Sequence, residues 1–280
     1  MSIKRNIHRS FLPYNGSRSE KCIQRNLRFI PEEFNIPYSE PFSGALQMYV
    51  NVKCNAGVLL NDCNKRSINC FQWAKENPEE LLKEIKKILV KRNFTEENYY
   101  PIRARFNQTG QIGLQNAARY IYLLYACYNH EDRTNNDGMF NKSYAKKRHN
   151  PEFREDEFWY LSEKLNRENA QLFTLDFSVF MPRIPSNSFS YVDPPFLFLE
   201  GENALGWAIK FKNQGNHPIL VQHIETLKNR DVVVIVSNFD NSLVRIIYKV
   251  GTVGKKLMIF TVPSSSYLGE KREILISYQS

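Results

Sequence analysis

The segment Tyr191-Val192-Asp193-Pro194-Pro195-Phe196 sets an acid and two prolines directly behind an apolar run. Proline has no backbone N–H for a ladder and holds its predecessor in an extended shape, so a buried strand is expected to stop at Asp193. A carboxylate at a strand end, followed by a turn that two prolines stiffen, is a hydrogen-bond acceptor fixed before any substrate arrives. Other chemistries find no comparable set. No G-x-S-x-G occurs, and the five histidines make no pair at metal-ligand spacing. The five cysteines, Cys22, Cys54, Cys63, Cys70 and Cys127, contain no C-x-x-C, so reduced and mostly buried thiols are expected, and no metal.

Such a strand end needs a sheet to carry it, and the flanking sequence has one. Residues 38–60 hold short apolar runs broken by Pro and Gly, the pattern of buried strands and tight turns in an α/β core. Glu40-Pro41-Phe42-Ser43-Gly44 fits a strand running into a turn, where Gly44 permits close backbone approach to a ligand. Asp62, about 20 residues beyond that turn and just after Val58-Leu59-Leu60, sits where nucleotide-binding α/β folds keep a carboxylate for ribose hydroxyls. The segments LFTLDFSVF, ending around Asp176-Phe177, and FSYVDPPFLF read as strands. VVVIV before Ser237-Asn238-Phe239-Asp240 reads as a fully buried strand, and the last segment, from KLMIF to ILISY, as two strands.

Between the two stretches of α/β texture, residues 66–152 turn helical and basic. ENPEELLKEIKKILVKRNF has helical apolar spacing with Asn77 as N-cap and Pro78 in the first turn, and LQNAARYIYLLYACY predicts a second helix. The polar segment that follows carries a hairpin signal at Asn136-Asp137-Gly138. FWYLSEKLN and ILVQHIETLKNR predict further helices. A discontinuous α/β domain, 1–65 and 153–280, interrupted by a helical domain at 66–152 is the simplest account.

At 280 residues and 42% hydrophobic, the chain can bury a proper core. No run approaches the roughly 18 apolar residues of a membrane span, and MSIKRNIHRSF has no apolar signal-peptide core, so a soluble intracellular protein is expected. The net charge of +9 suits a polyanionic partner such as nucleic acid.

The order EPFSG, LLND, a helical insert with YNHEDRTNNDGMF, YVDPPF and VSNFDN resembles the DNA adenine methyltransferases of the Dam family, phage members included, over nearly the whole chain. The resemblance implies a Rossmann-like S-adenosylmethionine-dependent core with an inserted helical target-recognition domain. It makes Asp193, Pro194, Pro195 and Phe196 the catalytic turn: the Asp193 carboxylate and Pro194 carbonyl accept hydrogen bonds from an adenine amine, and Phe196, where Tyr is usual, stacks on a base flipped out of duplex DNA. For the cofactor it implies Tyr14 and Arg18, the latter in place of Lys, with Glu40, Phe42, Gly44, Asp62, Asp176, Phe177 and Asp193. Leu46 stands where family members usually carry a second glycine.

For DNA the resemblance implies Tyr128 and Asn129 filling the gap left by the flipped base, and Arg133 on a guanine, which its planar fork suits. Lys142, Lys146, Lys147 and Arg148 are implied as phosphate contacts. Ser143-Tyr144-Ala145 replaces a common Pro-Phe-Gly, and Glu131-Asp132 is unusually acidic for a DNA-facing loop. Three functions fit: an adenine-specific DNA methyltransferase, a DNA-binding relative that has lost cofactor affinity through Ala45-Leu46, and a methyltransferase acting on RNA or another amine.

Overall fold

Four short apolar runs form the parallel part of a sheet, β2 (Tyr38–Glu40), β4 (Val58–Asn61), β6 (Phe189–Val192) and β7 (Val233–Phe239), in spatial order β4-β2-β6-β7. Every residue of β2 and β6 is buried, as strands covered on both faces must be. Beyond β7 the sheet continues antiparallel, with β9 (Arg272–Tyr278) beside β7 and β8 (Lys255–Thr261) outside it. The fold is thus α/β with a mostly parallel, Rossmann-like sheet. This computed structural model describes residues 6–13, 20–146, 152–199, 206–250, 255–261 and 272–278.

These six strands belong to one of two compact units, made of Arg25–Ser43, Val52–Cys63 and Leu175–Ser280. A small parallel ladder, β1 (Glu33–Phe34) with β3 (Lys53–Cys54), lies in the same unit, as do Arg25 and Asn26 at the end of α1 (Glu20–Asn26). Fully buried tyrosines fill much of this core, and each hydroxyl has a partner. Tyr38 donates to Glu40, Tyr191 accepts from Asn26, Tyr278 donates to the Tyr248 carbonyl, and Tyr248 meets Nδ1 of His217.

The other unit comprises Met1–Gln24, Gly44–Asn51 and Asn64–Thr174. The segment proposed from sequence as an insert, 66–152, falls within it. Helix α2 (Lys65–Glu76) starts at Asn64, whose side chain accepts from Arg66 N–H, and α3 (Pro78–Ile88) follows after Asn77, with Pro78 at its first position. Helix α4 (Glu96–Gln108) is capped by Thr95. Helix α5 (Leu114–Ala126) is buried along nearly its whole length, packed by α2, α3 and α4, because its apolar residues run around all its faces rather than along one stripe. Helix α6 (Glu155–Arg167) packs on α2, and β5 (Gln171–Phe173) follows it.

One expected strand is mostly something else. In LFTLDFSVF only the first residues extend, as the end of β5; Asp176 accepts hydrogen bonds from Ser178 N–H and Oγ and so caps a short helix, α7 (Phe177–Phe180). The carboxylate satisfies a free helical N–H and overrides the β-propensity of Phe and Val. After β6 come α8 (Gly206–Asn213), α9 (Asn216–Lys228) and, behind β7, α10 (Ser242–Ile247), of which only α9 was anticipated.

His217 in α9 is 1% exposed, and burial first, then Lys212, push its pKa down to about 4. The unfolded chain takes up this proton near pH 6.5 and the folded one only near 4. The stabilisation is therefore complete above about pH 6.5 and lost as pH falls toward 4, about 3 kcal/mol in all. Urea unfolding of the wild type and His217→Phe at pH 7 and pH 4 checks this, the variant losing less stability on acidification.

Candidate active site and hairpin

The registers of the parallel strands bring four residues marked in the sequence to one edge. Glu40 pairs with Leu60, Ser39 with Ser190 and Val192 with Val236, so Phe42, Asp62, Asp193 and Asn238 all lie at the carboxyl ends of adjacent strands. From β2 the chain proceeds to β4 on one side, and β6 lies on the other, which makes the β2–β6 boundary a topological switch point, the place where open α/β sheets bind ligands. With strands about 4.8 Å apart, the ends of β4 and β6 stand on the order of 10 Å from each other. Glu40 itself is buried and accepts from the Tyr38 hydroxyl at 2.6 Å, and burial first and Glu40 second hold that phenol well above its usual range.

Asn61, 1% exposed and just before Asp62, ties this edge together. Its Nδ2 donates to the Pro41 carbonyl (3.0 Å) and the Leu175 carbonyl (3.1 Å), and its Oδ1 accepts from Leu175 N–H (3.0 Å). Its own carbonyl accepts from Ser43 N–H at 2.8 Å. One amide therefore fixes the turn after β2, the end of β4 and the start of the Asp176-Phe177 segment. The sequence reading marked Asp62 and passed over Asn61, whose partners lie as far as 114 residues away.

The rings gathered there are Phe42, Phe177 and Phe211, with centroids 5.5 to 5.8 Å apart. Ser43 Oγ is buried with no hydrogen-bond partner among the described residues. An aromatic wall, an unsatisfied hydroxyl and the Asp62 carboxylate fit a nucleoside-bearing cofactor. Gly44 has φ +50, a left-handed conformation that favours glycine, and a Cβ there would meet nothing within 4 Å. Leu46 also takes φ 59 and is fully buried, so the backbone keeps a glycine-like conformation at the position where the family glycine is missing. Asp176 is exposed and acts as the α7 cap. Tyr14 and Arg18 lie outside the described residues.

Strand β6 ends at Val192, as the prolines require, and the Asp193–Phe196 turn is held from the β7 side. Leu197 N–H donates to Asn238 Oδ1 (3.0 Å), and Leu197 carbonyl accepts from Asn241 Nδ2 (2.8 Å). Phe239 packs edge-on against Phe196 (4.5 Å) and Phe198 (5.2 Å). Asp193 and Phe196 are half-buried, Pro194 buried. Asp240 is held by a two-point pair with Arg245, at 2.6 and 3.0 Å. The sequence reading carried Asn238 only within the Ser237–Asp240 strand end and assigned nothing to Asn241, which looks like a plain cap for α10 because its Oδ1 also accepts from Val244 N–H.

In the helical unit, the chain after α5 forms the expected hairpin, bridged at Thr134 and Phe140 and at Cys127 and Tyr144. Its turn closes at Asn135, whose N–H donates to Met139 carbonyl and whose side chain accepts from Asp137 and Met139 N–H. Tyr128 is 49% exposed, and Asn129 beside it takes φ 57. Arg133 is exposed and donates across the hairpin to Asn141 Oδ1 (2.9 Å) and Asn141 carbonyl (3.2 Å). Lys142 is turned inward instead of toward solvent: its ammonium pairs with Glu131 and lies 5.6 Å from the Tyr128 ring centre. Lys146 is exposed and 3.1 Å from Glu96. Lys147 and Arg148 lie outside the described residues.

A profile of D12 class N6 adenine-specific DNA methyltransferases matches residues 21–259. The "Type II methyltransferase M1.LlaDCHI" of Lactococcus lactis subsp. cremoris is 26% identical over 250 residues, covering 86% of this chain and 84% of that one. A "DNA adenine methylase" of Vibrio cholerae serotype O1 is 28% identical over 243 residues, covering 86% and 85%. The "DNA N-6-adenine-methyltransferase" of Escherichia phage P1 is 27% identical over 247 residues, covering 86% of this chain and 31% of its own.

Asn61→Leu keeps the branched heavy-atom skeleton and leaves the Pro41 carbonyl and both Leu175 backbone groups without their partner. Unsatisfied buried groups of this kind cost about 1–3 kcal/mol each. The expected loss, read by denaturant unfolding, is about 3 kcal/mol.

Proposed function

The chain belongs to the D12 class N6 adenine-specific DNA methyltransferases, and we propose that it moves a methyl group from S-adenosylmethionine to the N6 amine of an adenine flipped out of duplex DNA. The observation that carries this reading is the Asp193–Phe196 turn at the sheet's carboxyl edge, braced through Leu197 by two asparagine amides.

Adenine N6 is a poor nucleophile because its lone pair is delocalised into the ring. The Asp193 carboxylate and the Pro194 carbonyl accept its two N–H bonds, pull the nitrogen toward tetrahedral geometry and aim the lone pair outward. Rigid acceptors do this without reorganising at the moment of reaction, which is the source of most electrostatic catalysis. Phe196, itself braced by Phe239, offers a ring face to the base. S-adenosylmethionine supplies the electrophilic methyl on a sulfonium centre. For it, Asp62 would bind ribose hydroxyls, the Phe42–Phe177 pair would offer one apolar wall to the adenine ring, Ser43 Oγ would gain a partner, and the Gly44 turn would leave room beside the backbone.

The helical segment 66–152 reads the DNA. Exposed Tyr128 and Asn129 fill the gap left by the extruded base, Arg133 contacts a guanine and Lys146 a phosphate, with Lys147 and Arg148 completing the basic set. Lys142 supports the Tyr128 ring rather than contacting phosphate. The alternative of a relative without cofactor affinity rests on Ala45-Leu46; both side chains are buried and Leu46 takes a glycine-like φ, which supports the reading of an active enzyme.

Purified protein is incubated with methyl-labelled S-adenosylmethionine and unmethylated duplex DNA, and the DNA is digested to nucleosides. Label is expected in N6-methyl-2′-deoxyadenosine, with single-stranded RNA a poor substrate. Asp193→Ala is expected to slow transfer on the order of 10²–10³-fold with cofactor binding retained. Label in another nucleoside, or full activity in the variant, contradicts the mechanism.

A further inference from the structure

Asp132 looks misplaced in a loop that faces a polyanion, yet its side chain is only 2% exposed. Its Oδ2 accepts from Asn64 Nδ2 (2.6 Å) and the Tyr120 hydroxyl (2.8 Å) and is ion-paired with Arg66 Nη2 (3.1 Å). Those partners come from the cap and first turn of α2 and the middle of α5, so the carboxylate roots the hairpin in the two most buried helices of the unit. It is close enough to Cys70 of α2 to add to the burial that pushes that thiol up. Arg66 grips the hairpin twice: besides Asp132 it donates to the Gly138 carbonyl at the turn (3.4 Å), where Gln111 Nε2 also donates (3.1 Å). The neighbouring acid is engaged in the same way, Glu131 with Lys142. Neither acid is offered to solvent as a free charge.

Consecutive side chains of an extended segment point to opposite sides. With Asp132 locked inward, Arg133 must face outward, where Asn141 takes two of its five N–H donors and fixes the plane of the guanidinium. We infer that Asp132 is a positioning residue for DNA reading: tied to Asn64, Arg66 and Tyr120, it sets the direction in which Arg133 is presented and thereby how strictly one base pair is selected. This rests on the reading that Arg133 contacts the target DNA. Asparagine at 132 has the same shape but lacks the charge that three converging donors require, so the hairpin root loosens while the exposed basic residues stay.

The test uses the full chain and plasmid DNA grown in a methylation-deficient host. After incubation with S-adenosylmethionine, methylated adenines are mapped by single-molecule sequencing for the wild type, Asp132→Asn, Arg66→Gln and Arg133→Ala. The readout is the rate at the preferred site divided by the rate at sites differing in one base pair. Loss of a well-placed Arg–guanine pair removes about tenfold to hundredfold of discrimination, and Asp132→Asn and Arg66→Gln are expected to lose about tenfold or more of that ratio. A merely structural role lowers the rate at all sites alike and leaves the ratio at its wild-type value, which overturns the inference. If Asp132→Asn does not fold, Arg66→Gln decides in the same way. An unchanged ratio in Arg133→Ala removes the reading of Arg133 and the inference with it; a collapsed ratio there beside wild-type ratios in the other two removes the inference alone.

Discussion

Leu197 has its N–H on Asn238 and its carbonyl on Asn241, and the position of the Asp193–Phe196 turn depends on that pair of bonds. Two prolines end β6 and leave the turn no ladder to lean on, since neither can donate. A turn so freed would wander, and in the proposed mechanism its acceptor pair would have to be reordered for each reaction. The neighbouring strand removes that freedom. Because β7 runs parallel to β6 with Val236 opposite Val192, Asn238 arrives level with the turn. Asn241 arrives a few residues later at the start of α10, and Phe239 between them fills the space under Phe196 and Phe198.

The same solution recurs wherever a strand or loop loses its backbone partners. Asn61 ties together three segments past the ends of β2 and β4. In the helical unit, Asn141 closes the hairpin onto Arg133, Asn135 closes its turn, and Asn64 joins the α2 cap to Asp132. An amide carries donors and an acceptor on one short, uncharged stem. It can therefore satisfy a carbonyl and an N–H at once without adding a charge.

Much of the sheet was legible because its signals are local. Proline after Asp193 ends a strand whatever surrounds it, the VVVIV run has no polar side to expose, and Gly44 takes the positive φ that its turn suggested. The hairpin followed from Asn136-Asp137-Gly138 for the same reason. What escaped depends on partners far along the chain. Asn61 bonds to Leu175 across 114 residues, and Asn64 to Asp132 across 68. In the sequence, Asp132 is one of two adjacent acids in a loop expected to face DNA; only the fold supplies Arg66 and Tyr120 to it. LFTLDFSVF misled because its β-formers follow an aspartate whose capping bond to Ser178 outweighs them.

The central claim is that the Leu197 brace, rather than the Asp193-Pro194 sequence alone, makes the turn an efficient acceptor. Asn241→Asp tests it, because aspartate still caps α10 through an oxygen but presents an acceptor where Leu197 carbonyl needs a donor. Single-turnover methyl transfer to unmethylated duplex is measured for this variant beside its affinity for S-adenosylmethionine. A rate reduced about tenfold to hundredfold with unchanged cofactor affinity is the predicted result; transfer at the wild-type rate contradicts the account.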